Sequence, residues 1–207
     1  DKETAEKILG NCTTMLVLMA AVLTAVILLF GKPILLMFGA SDNTIGYAWD
    51  YMSIYAMGTI FVQISLGLNA FINAQGYART GMLTVAIGAV CNIILDPILI
   101  FGFDMGVKGA ALATILSQAV SFVWVLRFLT SGKSFLRIRK GYLKLSADII
   151  LPCIGLGVSP FIMQFTESII SVCFNTSLLK YGGDIAVGAM TIMTSVMQFS
   201  MLPLQGL

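Results

Sequence analysis

Long apolar stretches alternate with short polar segments along the whole chain. A membrane-spanning helix needs about 20 mostly apolar residues, and uncharged runs of that length recur, the first between Lys7 and Lys32. The pattern predicts an all-α polytopic bundle with six spans. We place the first three at 8–31, 46–75 and 80–103. A turn at 102–109 leads to the fourth, which ends near Arg127. The fifth covers about 148–179, and the sixth begins after 182–184 and continues to the end.

A polar and basic segment at 131–147 separates the fourth and fifth predicted spans. We therefore divide the chain into part of an amino-terminal lobe at 1–130, a connector at 131–147 and the start of a second lobe at 148–207. Two interpretations of the connector stay open: an ordinary positive loop, which we favour, or an anchor lying on lipid headgroups. Cations interleave with apolar residues between Lys133 and Lys144, namely with Phe135, Leu136, Ile138, Tyr142 and Leu143.

The distribution of lysine and arginine predicts the orientation in the membrane. Loops on the cytoplasmic side carry an excess of these residues. With the amino end in the cytoplasm, nine cations face inward and three face outward. We expect a multi-pass plasma-membrane protein with the amino end and the connector inside. The inner cations are Lys2, Lys7, Arg79, Arg127, Lys133, Arg137, Arg139, Lys140 and Lys144, and the outer ones are Lys32, Lys108 and Lys180.

The composition agrees with a membrane protein and narrows its chemistry. Hydrophobic residues make up 58% of the chain and charged residues 11%, against about 25% charged in soluble domains. Histidine is absent and no two cysteines form a CxxC pair, which argues against a metal centre, a redox centre and an enzyme. We expect no cofactor and no nucleic-acid partner. The chain begins at Asp1 and ends in an apolar run, so we expect it to be a piece of a longer protein.

Asp96 is the first candidate functional residue because it lies inside an apolar stretch. A charge in hydrocarbon is costly and is tolerated mainly beside a partner or a watery cavity. Asn92 shares its helical face at i, i+4, with Gly88 one turn earlier. Pro97 cannot donate to the Ile93 carbonyl, so it should disturb the helix beside the carboxylate. These oxygens suit a proton or Na⁺. The alternative is a polar pair that only packs helices.

Three further residues carry weaker signals. Glu167 lies inside the fifth predicted span, which favours proton or substrate-cation handling over structural pairing. Thr114 lies beside a small-residue stripe at Gly109 and Ser117, although a threonine in a spanning helix usually bonds its own backbone. Asp50, near the outer end of the second span, is expected to be simply solvated.

Three consecutive segments together resemble one known family. They are NAQGYARTGM at 73–82, NIILDPILIFG at 92–102 and GVKGAALAT at 106–114. In order and spacing they are similar to the multidrug and toxic compound extrusion (MATE) family, and in particular to its bacterial drug-efflux branch. The similarity continues at 156–157 and 181–184 and covers essentially the whole chain.

The resemblance implies helices three to eight of a twelve-helix, two-lobe transporter that exports cationic or amphipathic drugs in exchange for Na⁺ or H⁺. It implies a cation site at Tyr51, Asn92, Asp96 and Thr114, completed by a helix-one aspartate that this chain does not contain. Glu167 resembles a second-lobe glutamate. Two positions depart from the family pattern: Asn73, where many members have arginine, and Ser159, where a proline often stands.

The expected partners are drug-like small molecules and the lipid bilayer, and the protein is expected to act as a monomer. The nearest rival is a flippase that exports a lipid-linked precursor. That class would need a cationic cavity for the phosphates, and the predicted spans contain almost no lysine or arginine. A membrane-embedded enzyme or a purely structural scaffold is a more distant alternative.

Overall fold

A computed structural model describes residues 2–132 and 134–205, and its secondary structure in that part is entirely helical. The all-α prediction is confirmed. Asp1, the connector cation Lys133 and residues 206–207 of the sixth predicted span lie outside the described residues. The elements are α1 (Lys2–Met37), α2 (Ile45–Met57), α3 (Thr59–Ala74), α4 (Ala78–Pro97), a π-helical segment (Ile98–Gly102), α5 (Gly106–Thr130), a 3₁₀ turn (Lys140–Tyr142) and α6 (Ala147–Gln205).

The helices agree with six spans, with two differences in detail. Within the described residues, α1, α4 with its π segment, α5 and α6 are each long and apolar enough to cross a membrane, and α2 with α3 adds a span bent by 58°. The 59-residue α6 contains a break at Gly183, where the sequence predicted a loop at 180–184. A φ of +64° is open to glycine without strain, so one residue breaks the helix.

Contacts divide the chain into two compact units. Unit 1 comprises Asp1–Gly31 and Trp49–Val158, and unit 2 comprises Lys32–Ala48 and Ser159–Leu207. The lobe boundaries at 130/131 and 147/148 stay predictions.

Unit 1 is held by an apolar core at the end of the unit where the connector lies. The α3 residues Ile64, Leu68 and Ile72 repeat every fourth residue and therefore share one helical face. They meet the start of α1, the end of α5 and Leu136 of the connector, which is 9% exposed. The connector is thus folded against the helices. The core residues are Leu9, Ile64, Leu68, Ile72, Val125, Leu129 and Leu136.

Unit 2 consists mainly of the larger part of α6 and the turn that follows α1. The Thr176 hydroxyl donates to the Met37 carbonyl at 3.4 Å, and Gly39, with φ +92°, packs against Asn175. The most apolar window of α6 is unburied in the described residues. Such a surface suits a lipid or helix-packing environment.

Candidate functional site

Asn92 and Asp96 lie one turn apart on α4, as their spacing predicts, and both are half-buried. The Asn92 Nδ2 atom is buried and has no hydrogen-bond partner. The Asp96 carboxylate forms no hydrogen bond or ion pair with any described residue. The buried amide nitrogen of Asn92 is unusual for a purely structural residue, because buried polar groups are nearly always satisfied.

The predicted disturbance at Pro97 is present. Regular α-helix ends at this proline, and the chain continues through the π-helical segment, in which the Phe103 N–H donates to the Ile98 carbonyl at 3.0 Å. Single π turns are frequent at functional sites. The backbone therefore widens directly after Asp96.

Helix α5 runs antiparallel to α4, and two contacts fix their register. The Ser121 hydroxyl donates to the Thr84 carbonyl at 3.0 Å. At the other end, a Cβ on Gly109 would lie 2.7 Å from the Leu99 carbonyl oxygen, so only glycine permits this approach. Thr114 lies between these contacts, at about the level of the turn that carries Asn92.

The Thr114 hydroxyl donates to the Ala110 carbonyl at 2.9 Å, as expected of a threonine in a spanning helix. Its oxygen keeps lone pairs that can accept from water or bind a cation. We call the contact of α4 and α5 from Thr84 and Ser121 to Leu99 and Gly109 the α4–α5 seam, and Thr114 lies on α5 within its length.

Tyr51 is the fourth implied site residue and lies on α2. The adjacent Asp50 is solvated, as expected, with 43% of its side chain exposed, and it also forms an exposed ion pair with Lys108 of α5, with 3.4 Å between Oδ2 and Nζ. The pair sets the start of α2 beside the start of α5. Tyr51 stacks on Tyr55 at 5.9 Å. Among the described residues, no hydrogen bond or ring contact joins Tyr51 to Asn92, Asp96 or Thr114, so the four-residue site stays a prediction.

Glu167 lies on the exposed surface of α6 in unit 2. Its neighbour Ser168 donates to the Gln164 carbonyl at 2.9 Å, which is ordinary helix backbone bonding. The proposed role of Glu167 in a second lobe stays a prediction.

Sequence reasoning missed the buried carboxylate of Glu6. The residue is 2% exposed, and its oxygens contact Arg139 Nε at 2.8 Å and the Arg137 backbone N–H at 3.4 Å. A glutamate near the start of an apolar helix is normally expected to be solvated. Its position one turn before the core residue Leu9 was the available signal.

Other polar side chains attach the connector to unit 1 in the same way. Gln75 Oε1 accepts from the Ser134 hydroxyl at 3.0 Å and from the Leu136 N–H at 2.9 Å. Asn11 Oδ1 accepts from the Ser146 N–H at 2.7 Å. A lipid anchor would turn Leu136 and its neighbours toward the bilayer. That alternative is wrong for Leu136, which is part of the protein core.

Comparison with known proteins agrees with this arrangement. The MatE family profile matches residues 1–98. A structure described as that of the MATE multidrug transporter DinF-BH superposes with a TM-score of 0.93 at 33% identity, covering 100% of this chain and 46% of that one. The predicted similarity to the MATE family is confirmed.

The curated relatives include multidrug export proteins. The multidrug export protein MepA of Staphylococcus saprophyticus is 28% identical over 169 residues, which are 82% of this chain and 37% of the relative. MepA of Staphylococcus aureus strain NCTC 8325 is 27% identical over 178 residues, covering 86% and 39%. The chain therefore spans less than half the length of the curated relatives it matches.

Proposed function

We propose that this chain forms part of a secondary active multidrug efflux transporter, which exports cationic or amphipathic compounds in exchange for Na⁺ or H⁺. The observation that carries the proposal is the Asp96 carboxylate, half-buried in the seam without a partner among the described residues. Similarity to the MepA multidrug exporters supports the substrate class.

Binding of the coupling ion at Asp96 would act through electrostatics. A bound proton or Na⁺ neutralises the carboxylate and removes the cost of keeping its charge in an apolar surrounding. The widened π turn after Pro97 offers a place where α4 can repack. The ion drives the change only because it binds the two conformations with different affinity. Asn92, Thr114 and Tyr51 supply the remaining polar atoms, and Glu167 is proposed to handle protons or substrate in the second lobe.

The proposed orientation puts the amino end of α1 and the connector in the cytoplasm, in the plasma membrane. The contacts of Glu6 and Gln75 bring the start of α1, the end of α3 and the connector to one end of unit 1. Asp50 and Lys108 lie at the other end. The start of α1 and the connector, both rich in lysine and arginine, therefore lie at one end of unit 1, which supports the proposed orientation.

The test is ethidium efflux from cells that carry the wild-type protein or Asp96→Asn, with a Na⁺ gradient alone or a pH gradient alone. We expect export under one gradient and its loss in the variant, at unchanged membrane levels. Asp42→Asn, in the exposed turn between α1 and α2, is the matched control and should export normally. Normal export by Asp96→Asn refutes the proposed site.

A flippase for a lipid-linked precursor remains the second candidate function. Its expected cationic cavity is not matched at the seam, whose described side chains are neutral apart from Asp96. Absence of ethidium export under both gradients, with transport of a lipid-linked precursor in liposomes, would favour the flippase.

A further inference from the structure

A small polar cavity lies between α3, α4 and α5, on the connector side of Asn92. Its volume is about 50 Å³. Its polar walls are deeply buried: Ser65 is 2% exposed, and Thr84 and Ser121 are 3% exposed. The cavity is open on the side of Leu66 and Val85, whose side chains are largely exposed, so its polar end is the part that can hold a small molecule. The cavity is lined by Ser65, Asn69, Thr84, Gly88, Gln118 and Ser121, with Leu66 and Val85 beside them.

One wall atom has an unmet hydrogen-bonding requirement. Asn69 is 9% exposed, and its Oδ1 atom is buried without a partner. Ser65 cannot supply the missing donor, because its hydroxyl proton is directed to Gln118 Oε1 at 3.0 Å or to the Val62 carbonyl at 3.2 Å. The Ser121 hydroxyl is likewise engaged with the Thr84 carbonyl. Among the described residues, no group donates to Asn69 Oδ1, which leaves this atom available to a bound molecule.

Water fits this site better than a dehydrated cation. A cavity needs only about 10–15 Å³ to hold one water, provided that two to four polar partners are present. The walls supply hydroxyl and amide oxygens that can accept from water, and water can donate to Asn69. A cation would find no carboxylate in this lining, and burying an uncompensated charge is far more costly than burying a hydrogen-bonded water.

Two of the α4 residues that line the cavity, Thr84 and Gly88, precede the candidate ion site along the same helix. Thr84, Gly88, Asn92 and Asp96 follow one another at intervals of four residues and so form a single stripe. Gly88 keeps the stripe open, since a Cβ at this position would lie 2.5 Å from Ser121 Oγ. Asn92, the next residue of the stripe, carries the second buried polar atom without a partner.

We propose that the cavity binds internal water and forms the connector-side end of a hydrated seam that leads to Asn92 and Asp96. The waters donate to Asn69 and accept from Asn92 Nδ2, which satisfies both orphaned atoms. The seam gives the coupling proton a polar route between Asp96 and the connector end, along which it can leave toward the cytoplasm. This last role rests on the proposed function, whereas the hydration itself does not.

Hydration is measured directly by water-edited solid-state NMR on the protein in liposomes. Magnetisation should pass from water to the side-chain amides of Asn69 and Asn92 about as fast as to the exposed amide of Asn73. No transfer to Asn69 means a dry cavity and overturns the proposal. Transfer to Asn69 but not to Asn92 overturns the seam.

Two variants extend the test. Gly88→Ala should lower the transfer to Asn92 several-fold and leave Asn73 unchanged. Asn69→Leu should lower the melting temperature by about 2–4 °C, because it removes a satisfied hydrogen bond to water. In a dry cavity the same change removes an unsatisfied oxygen, so a raised melting temperature contradicts the proposal. Asn73→Leu, one turn further along α3, is the control and should leave the melting temperature unchanged.

Failure of this proposal is distinguishable from failure of the proposed function. The NMR measurement needs no transport, and ethidium efflux by Asp96→Asn needs no knowledge of the water. A dry seam with efflux lost in Asp96→Asn refutes only the hydrated route. A hydrated seam with normal efflux in that variant refutes only the coupling role of Asp96.

Discussion

Glu6 is almost wholly enclosed by protein, whereas its partner Arg139 is largely in solvent. The side chain of Glu6 is 3% exposed and that of Arg139 is 58% exposed, with 2.8 Å between Oε2 and Nε. The cost of removing one member of an ion pair depends on the environment of the charge that is left behind. Loss of the arginine and loss of the glutamate should therefore have unequal effects.

The magnitudes follow from this asymmetry. Arg139→Gln leaves a buried carboxylate without its cation and should reduce the free energy of unfolding by about 3 kcal/mol, the lower end of the range for breaking a buried pair. Glu6→Gln leaves Arg139 hydrated and keeps an acceptor for the Arg137 N–H, so only the charge assistance is lost. This loss should be about 1–2 kcal/mol. The double variant should resemble Glu6→Gln alone, because it contains no buried charge.

The assay is denaturant unfolding of the purified protein in mild detergent, followed by the fluorescence of Trp49 and Trp124, as a double-mutant cycle. The exposed pair of Glu3 and Lys7, with 2.9 Å between Oε1 and Nζ, provides the matched control. Glu3→Gln should leave stability within error, because exposed pairs contribute little. Equal effects of Arg139→Gln and Glu6→Gln would refute the reasoning from burial.

Two further changes test the contacts at the ends of unit 1. Gly109→Ala should lower the free energy of unfolding by about 1–3 kcal/mol, since its Cβ would meet the Leu99 carbonyl. Gly155→Ala, in open space on α6, is the control and should be neutral or stabilising. Similar results for the two variants would contradict the close packing of α5 against Leu99. Gln75→Leu should cost about 1–3 kcal/mol, because the Leu136 N–H loses its acceptor, whereas the Ser134 hydroxyl can still donate to the Leu136 carbonyl at 2.6 Å. Limited proteolysis should then cut the connector faster, and unchanged cleavage would show that Gln75 does not hold it.

Most of the helical framework could be predicted from the sequence because it depends on apolar length and helical period. The face shared by Asn92 and Asp96 follows from a spacing of four, and the disturbance after Asp96 follows from the missing N–H of Pro97. Each of these features is set within a few neighbouring residues. The bend at Gly58 lies at a long-range contact, because Ile115 from another helix occupies the space that a Cβ at this position would need.

The connector shows why composition alone could not decide its position. Its alternation of cations and apolar residues suits a membrane surface and a protein surface equally well. The choice depends on partners far away in the chain: a buried carboxylate at Glu6, an amide at Gln75 and a gap in the core that Leu136 fills. The cavity beside Asn69 poses the same difficulty, because its walls come from three helices. Residues that meet only through folding carry little local signal, and in this protein they define both the attachment of the connector and the cavity beside Asn69.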